Sequence, residues 1–163
     1  MRTFVSGCCV SALAFALSAC EGDVPVSVAI TTNPSAAPVV VASISPATTV
    51  LAPGVSMTGC IAYSPVAAAF DIVIVAWTPM DLNLVTMHLI DGSNVGGPMV
   101  TFPQPELTRQ FGTTVVHTGI ARTLTFRPQF PCGSIGPDHV AAQLTLVDIK
   151  GVPHSVTVTG PLL

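Results

Sequence analysis

Four histidines, His88, His117, His139 and His154, and six carboxylates, Asp71, Asp81, Asp91, Glu106, Asp138 and Asp148, join Cys60 and Cys132 beyond residue 38 as side chains that can ligate a metal or carry a proton. A metal site legible in sequence needs several such groups at short, regular spacing, and only Asp138-His139 brings two close together. Adjacent strand residues point to opposite faces, so this dipeptide is not expected to chelate, and the histidines read as polar positions on strand faces. The carboxylates stand singly. Asp91 and Asp148 open turns, where a short carboxylate bonds the local backbone. Asp91-Gly-Ser-Asn94 lacks the downstream spacing of a calcium loop. Glycoside cleavage needs two carboxylates across a cleft, which the linear order does not supply. No Gly-x-Ser-x-Gly elbow is present, and Gly96-Gly97-Pro98 reads as a turn rather than a phosphate loop. Arg122 and Arg127, at opposite parities of one segment, read as solvated arginines. The sequence therefore predicts no catalytic residue, no metal and no cofactor, and a chain that is not an enzyme.

The elements that must position these groups are short strands. Segments rich in Val, Ile, Thr and Phe fall at 39–44, 55–63, 69–77, 82–90, 97–102, 113–117, 120–127, 139–148 and 152–159. Turn chemistry separates them at the spacing of a sandwich or barrel. Alternation sets their faces: Val85, Met87 and Leu89 oppose Asn83 and His88, Leu124 and Phe126 oppose Thr123, Thr125 and Arg127, and Val156 and Val158 oppose Ser155, Thr157 and Thr159. Such strands are half-buried and antiparallel. Segment 70–77 is apolar at both parities after Asp71, which predicts a central strand. With Val73, Val75 and Trp77 turned inward, Phe70, Ile72 and Ile74 require cover from another segment, or else form a partner surface. Hairpin turns are expected at 91–94, 118–119 and 148–151. No stretch carries a capped 3.6-residue stripe, so no helix is expected.

Half of the 163 residues are hydrophobic and 8% are charged, against about a quarter charged in average globular proteins. Such apolar content excludes disorder for most of the chain. Beyond residue 19 the basic side chains are Arg109, Arg122, Arg127 and Lys150, never clustered, which argues against nucleic acid as a partner. At the start, Arg2 precedes an apolar run that closes on Leu17-Ser18-Ala19-Cys20, the order of a secretory signal. Its apolar core of about 16 residues is shorter than the roughly 20 needed to span a bilayer.

The tetrapeptide Leu17-Ser18-Ala19-Cys20 resembles the lipobox of bacterial lipoproteins. That resemblance implies a signal peptide over 1–19, lipidation of Cys20, and a place in the bacterial cell envelope, anchored to the outer membrane or cell surface. Glu21 occupies the position that bears on sorting. Residues 20–38 then read as a Pro-rich tether, with the alternating Val24, Val26, Val28 and Ile30 as an alternative edge strand over 24–30. Cys8 and Cys9 fall in the signal and Cys20 takes the lipid. Cys60 and Cys132 remain as an expected disulfide in an oxidising compartment, two unpaired buried thiols being the alternative.

Pro53-Gly-Val-Ser-Met-Thr-Gly-Cys60 resembles strand B of immunoglobulin-like domains, Trp77 the core tryptophan of strand C, and Cys132 the second core cysteine. Gly59 is an extra residue that calls for a bulge, Cys132 lies in a loop-like Phe130-Pro-Cys-Gly-Ser-Ile-Gly136, and the tyrosine corner is missing. The resemblance implies an all-β fold, an immunoglobulin-like antiparallel β-sandwich of about 7–9 strands over 39–163. The expected role is a non-catalytic interaction or structural module, membrane-bound through its lipid. It would present loops 91–97, 103–112 and 132–138 to another envelope protein or a glycan. The alternative is a carbohydrate- or metal-binding accessory domain, which requires Trp77, Tyr63 or Phe111 exposed beside polar groups; a cryptic hydrolase ranks last.

Overall fold

The structure, a computed structural model, describes residues 29–30, 39–46, 48–53, 66–91, 96–132 and 137–162. The lipobox, most of the tether, the predicted strand 55–63 with Cys60 and Tyr63, and parts of the loops at 91–97 and 132–138 lie outside the described residues.

The described elements are β1 (Ala29–Ile30), β2 (Val40–Ser45), β3 (Leu51–Pro53), β4 (Val66–Ala68), β5 (Phe70–Ala76), β6 (Met80–Ile90), β7 (Gly96–Pro103), α1 (Gln104–Phe111), β8 (Val115–Val116), β9 (Arg122–Phe126), β10 (Gln129–Phe130), β11 (His139–Asp148) and β12 (Pro153–Pro161). Antiparallel pairing builds one sheet in the order β1-β2-β5-β9 and a second in the order β12-β11-β6-β7, with β8 also on β6. A small third sheet runs β10-β4-β3. At one margin β12 lies against β1 and β2, so the two main sheets approach as the layers of a sandwich. The all-β antiparallel sandwich expected from the sequence is the observed fold.

Alternating side chains make the core between the layers. Val40, Ala42 and Ile44 of β2, Phe70, Ile72, Ile74 and Ala76 of β5, and Leu124 and Phe126 of β9 face inward from one sheet. Val85, Met87 and Leu89 of β6, Val140, Ala142, Leu144 and Leu146 of β11, and Val156 and Val158 of β12 face them from the other. Burying one such Ile or Phe side chain contributes roughly 1.5–3 kcal/mol, so this cluster dominates the fold's stability. The inward parity of β6 slips at Asn83. Leu84 pairs with Thr145 and Leu82 with Leu146, which leaves Asn83 as the extra residue of a bulge. Met80 and Leu82 can thus point inward on the same strand as Val85 and Met87.

Across the outer face of the second sheet runs a row of neutral hydrogen-bonding side chains. Thr101, Thr86, Gln143 and Thr157 form one row across four strands, and the Gln143 amide donates to Ser155 Oγ at 3.1 Å.

The structure corrects four expectations about the elements. Residues 104–111 form a helix, not a loop. Pro103 caps it in extended conformation, Pro105 suits its first turn, Glu106 and Arg109 sit at the ends that favour their charges, and Gly112, at φ +77°, closes it with an N–H to the Thr108 carbonyl at 2.8 Å. Leu107 is its one fully buried side chain, so two turns leave no stripe to detect. Second, the parity of β5 is the reverse of that expected: Phe70, Ile72 and Ile74 are core, while Val73 and Val75 are half-buried on the outer face. Third, Trp77 continues that outer row and is 51% exposed, so it is not the core tryptophan of an immunoglobulin domain. Fourth, the segments on either side of Thr118-Gly119 do not form a hairpin. β8 pairs with β6 and β9 with β5, so this connection crosses between the two sheets.

Candidate functional site

β5 ends at Ala76, and the chain beyond it is held by backbone bonds on both sides. The Trp77 N–H donates to the Val39 carbonyl at 2.9 Å, and the Gly119 N–H donates to the Ala76 carbonyl at 2.8 Å. The 117–120 turn closes with the Ile120 N–H on the His117 carbonyl at 3.3 Å, and Gly119 takes φ +68°, a conformation that costs glycine nothing. Arg122 braces the same connection from below. Its guanidinium donates to the carbonyls of Thr113 and Val115, and partial burial lowers its pKa from the ordinary arginine value. Arg122 is therefore a structural clamp, not the solvated arginine expected; Arg127 is exposed.

This frame displays Trp77, Thr78, Pro79, His117, Thr118 and Ile120, all exposed, at one pole of the sandwich. Phe111, by contrast, packs edge-on against Phe126 with ring centroids 5.1 Å apart and is half-buried, so it offers no platform.

The hairpin β11–β12 holds a second polar constellation. Asp148 Oδ1 accepts from the backbone N–H groups of Lys150 at 2.8 Å and Val152 at 2.9 Å, and its Oδ2 lies 3.3 Å from His154 Nε2. The Val152 N–H, followed by the His154 and Lys150 contacts and opposed by burial, holds the Asp148 carboxyl below the usual aspartate value. Sequence reasoning placed Asp148 in a turn but missed His154, which only the strand register returns to it. Beside this hairpin a cleft of about 240 Å³ is lined by Pro79, Met80, Asp81, Val115, Val147, Asp148 and Ile149. Asp81 pairs with Val147 and Asp148 with Met80, so alternation turns the two carboxylates to opposite faces. Asp81 accepts instead from Thr114 Oγ1 at 3.3 Å.

Asp138 and His139 do meet, with Oδ1 2.7 Å from Nδ1. The strand starts only at His139, so Asp138 is not bound by strand alternation. His88 and His139 share the outer face as diagonal neighbours on β6 and β11. Among the described residues, however, no three His, Cys, Asp or Glu side chains gather to hold a metal ion. Cys132 is half-buried just after β10.

With this geometry in place, comparison with known proteins speaks to the fold alone. No protein-family model and no curated protein matches the chain. Among solved structures it is similar to the X-ray structure of Northeast Structural Genomics Consortium target SoR45, with a TM-score of 0.50 and 11% identity, over 76% of this chain and 86% of that one. The class is an antiparallel β-sandwich. That likeness carries the architecture and nothing of the activity.

Proposed function

We propose that this protein is a lipid-anchored component of the bacterial cell envelope whose β-sandwich is a non-catalytic interaction module. The observation that carries the reading is Leu17-Ser18-Ala19-Cys20 at the exit of a short apolar signal. In this reading residues 1–19 are removed, Cys20 bears the acyl chains, residues 20–38 form the tether, and the membrane is the outer membrane or the cell surface. Cys60 and Cys132 are joined, closing a loop of about 70 residues, which contributes about 4 kcal/mol. The bridge is supported by the cysteines left once Cys20 bears the lipid, Cys60 and Cys132, in an oxidising compartment. The non-catalytic role is supported by the structural use of Arg122 and Asp148 described above. A second reading, recognition of carbohydrate, is favoured by one observation, the exposure of Trp77.

Intact mass of the protein extracted from host membranes tests the proposal. The expected mass is that of residues 20–163 plus acyl chains, two daltons lighter before reduction than after. A mass without acyl chains, or one retaining Met1, overturns the anchor.

A further inference from the structure

We infer that the end of the sandwich bearing Trp77, Ile120, Ile149 and Val152 rests on the lipid surface to which the chain is anchored. The inference rests on the lipid anchor proposed above, and it adds which end of the domain meets the membrane and which side chains enter it.

The first observation is where the exposed apolar side chains fall. Among the described residues the large ones are Val50, Trp77, Met99, Ile120, Ile149 and Val152. Strand register gathers four of these at one end. Trp77 follows the last residue of β5, and Ile120 lies in the turn whose Gly119 N–H is bound to the Ala76 carbonyl. Met80, which opens β6, is opposite Asp148, and Ile149 and Val152 belong to the hairpin tip just beyond it. Pro79 and Ile149 line one cleft, so this tip stands beside the 77–79 segment. Val50 and Met99 lie toward the other end: the Thr49 N–H bonds to Pro161, which is opposite His139, and Met99 is opposite His88. The four side chains are between 47% and 77% exposed, and apolar surface concentrated in this way marks a lipid or partner contact.

The second is chemistry. The loops 77–79, 117–121 and 149–153 contain no carboxylate and one lysine, the exposed Lys150. Asp148, at the base of the hairpin, is spent on the N–H groups of Lys150 and Val152, and Asp81 accepts from Thr114. An indole, three aliphatic side chains and a lysine suit a bilayer interface, where the ring sits at headgroup level and the ammonium meets anionic lipid.

The third is reach. Nine residue steps separate Cys20 from Ala29, at most about 30 Å of chain. Ile30 is opposite Val41, two residues along β2 from Val39, whose carbonyl accepts the Trp77 N–H. The strand that follows the tether therefore ends about 7 Å from the level of Trp77. An anchored Cys20 can lie in the plane of the apolar end, and it confines the domain to within about 30 Å of the bilayer. That confinement raises the effective concentration of lipid at the domain surface, so a shallow contact suffices. The tether permits either end to face the bilayer; the apolar side chains select this one.

The sequence contains one tryptophan, so intrinsic fluorescence reports this end directly. The experiment reconstitutes the protein extracted from host membranes into vesicles of phosphatidylethanolamine and phosphatidylglycerol, with and without brominated acyl chains, and follows Trp77 emission. The expected result is strong quenching by the brominated lipid and weak quenching by aqueous acrylamide. Ile149→Asp and Val152→Asp should each reduce the bromolipid quenching by about twofold or more, while the protein still floats with the vesicles through its acyl chains. Val50→Asp, at the other end, should leave the quenching unchanged. Far-UV circular dichroism of each variant should match the parent. A Trp77 open to acrylamide and untouched by brominated lipid overturns the inference. A Trp77 shielded from both overturns it too, and assigns this end to a protein partner, a second copy included. Quenching that both aspartate variants leave intact also overturns it. The anchor is read separately, by mass and flotation. Should the mass lack acyl chains, the anchor falls, and the same quenching measured on the unacylated protein at millimolar lipid decides the apolar end by the same outcomes.

Discussion

At Asp148 one carboxylate closes the β11–β12 hairpin, accepting two backbone N–H groups and lying against the His154 ring. Those contacts favour the ionised form and hold its pKa below the ordinary aspartate value of 3.8. A carboxyl depressed in the folded state stabilises the fold fully above its unfolded pKa, and that contribution is lost as pH falls through the folded value. Asp148→Asn should therefore lower the melting temperature at neutral pH and flatten its decline below about pH 4; an acid limb identical to the parent's would show that the turn does not depend on this charge. Thr49 is the opposite case. It is fully buried, its N–H donates to the Pro161 carbonyl at 2.9 Å, and its hydroxyl has no partner among the described residues. Thr49→Val replaces that hydroxyl with a methyl of similar shape and should gain about 1 kcal/mol, raising the melting temperature by about 2–4 °C. A lower melting temperature would show the hydroxyl to be satisfied. Of these residues, Asp148 was legible because Asp-x-x-Gly is turn chemistry in any context. Thr49 and His154 were not, because their roles depend on which distant strand lies opposite.

Among the elements, α1 depends on one side chain. Leu107 is its fully buried contact with the sandwich, and Gly112 closes it at positive φ. Leu107→Ala should cost about 2–5 kcal/mol, while the exposed neighbour Thr108→Ala should change stability by less than about 0.5 kcal/mol. Chemical denaturation of both variants checks the contrast, and equal small effects would mean that the helix is not docked. The strands divide instructively by how far their pattern determined them. β11 spans His139–Asp148 as expected, since Val140, Ala142, Leu144 and Leu146 occupy one buried parity. In β5 both parities are apolar, and the sequence cannot choose between them. Cross-strand neighbours make the choice, with Phe70 opposite Phe126 and Ile72 opposite Leu124 on the inner face. Trp77 then falls outward by counting. The Asn83 bulge was invisible for a related reason: one extra residue shifts parity without altering composition.

At the scale of the molecule, the proposed Cys60–Cys132 bridge would tie the segment after β3 to the segment after β10, whose strands belong to the same small sheet. Cys132→Ser, or reduction of the parent, should lower stability by about 2–4 kcal/mol. Thermal melts with and without reductant measure it, and coincident curves would mean that no bridge forms. The sandwich itself was readable from composition and turn spacing because burial demands are global. The site was not, since a pole exists only once β2, β5 and the 117–120 turn are brought together. The row of Thr101, Thr86, Gln143 and Thr157 across the second sheet carries a further consequence. A surface hydrated through hydroxyl and amide groups repels its copies by holding water, with no ionic field for salt to screen. Encounters with partners along that row should therefore proceed with little electrostatic steering, at rates set by diffusion and shape.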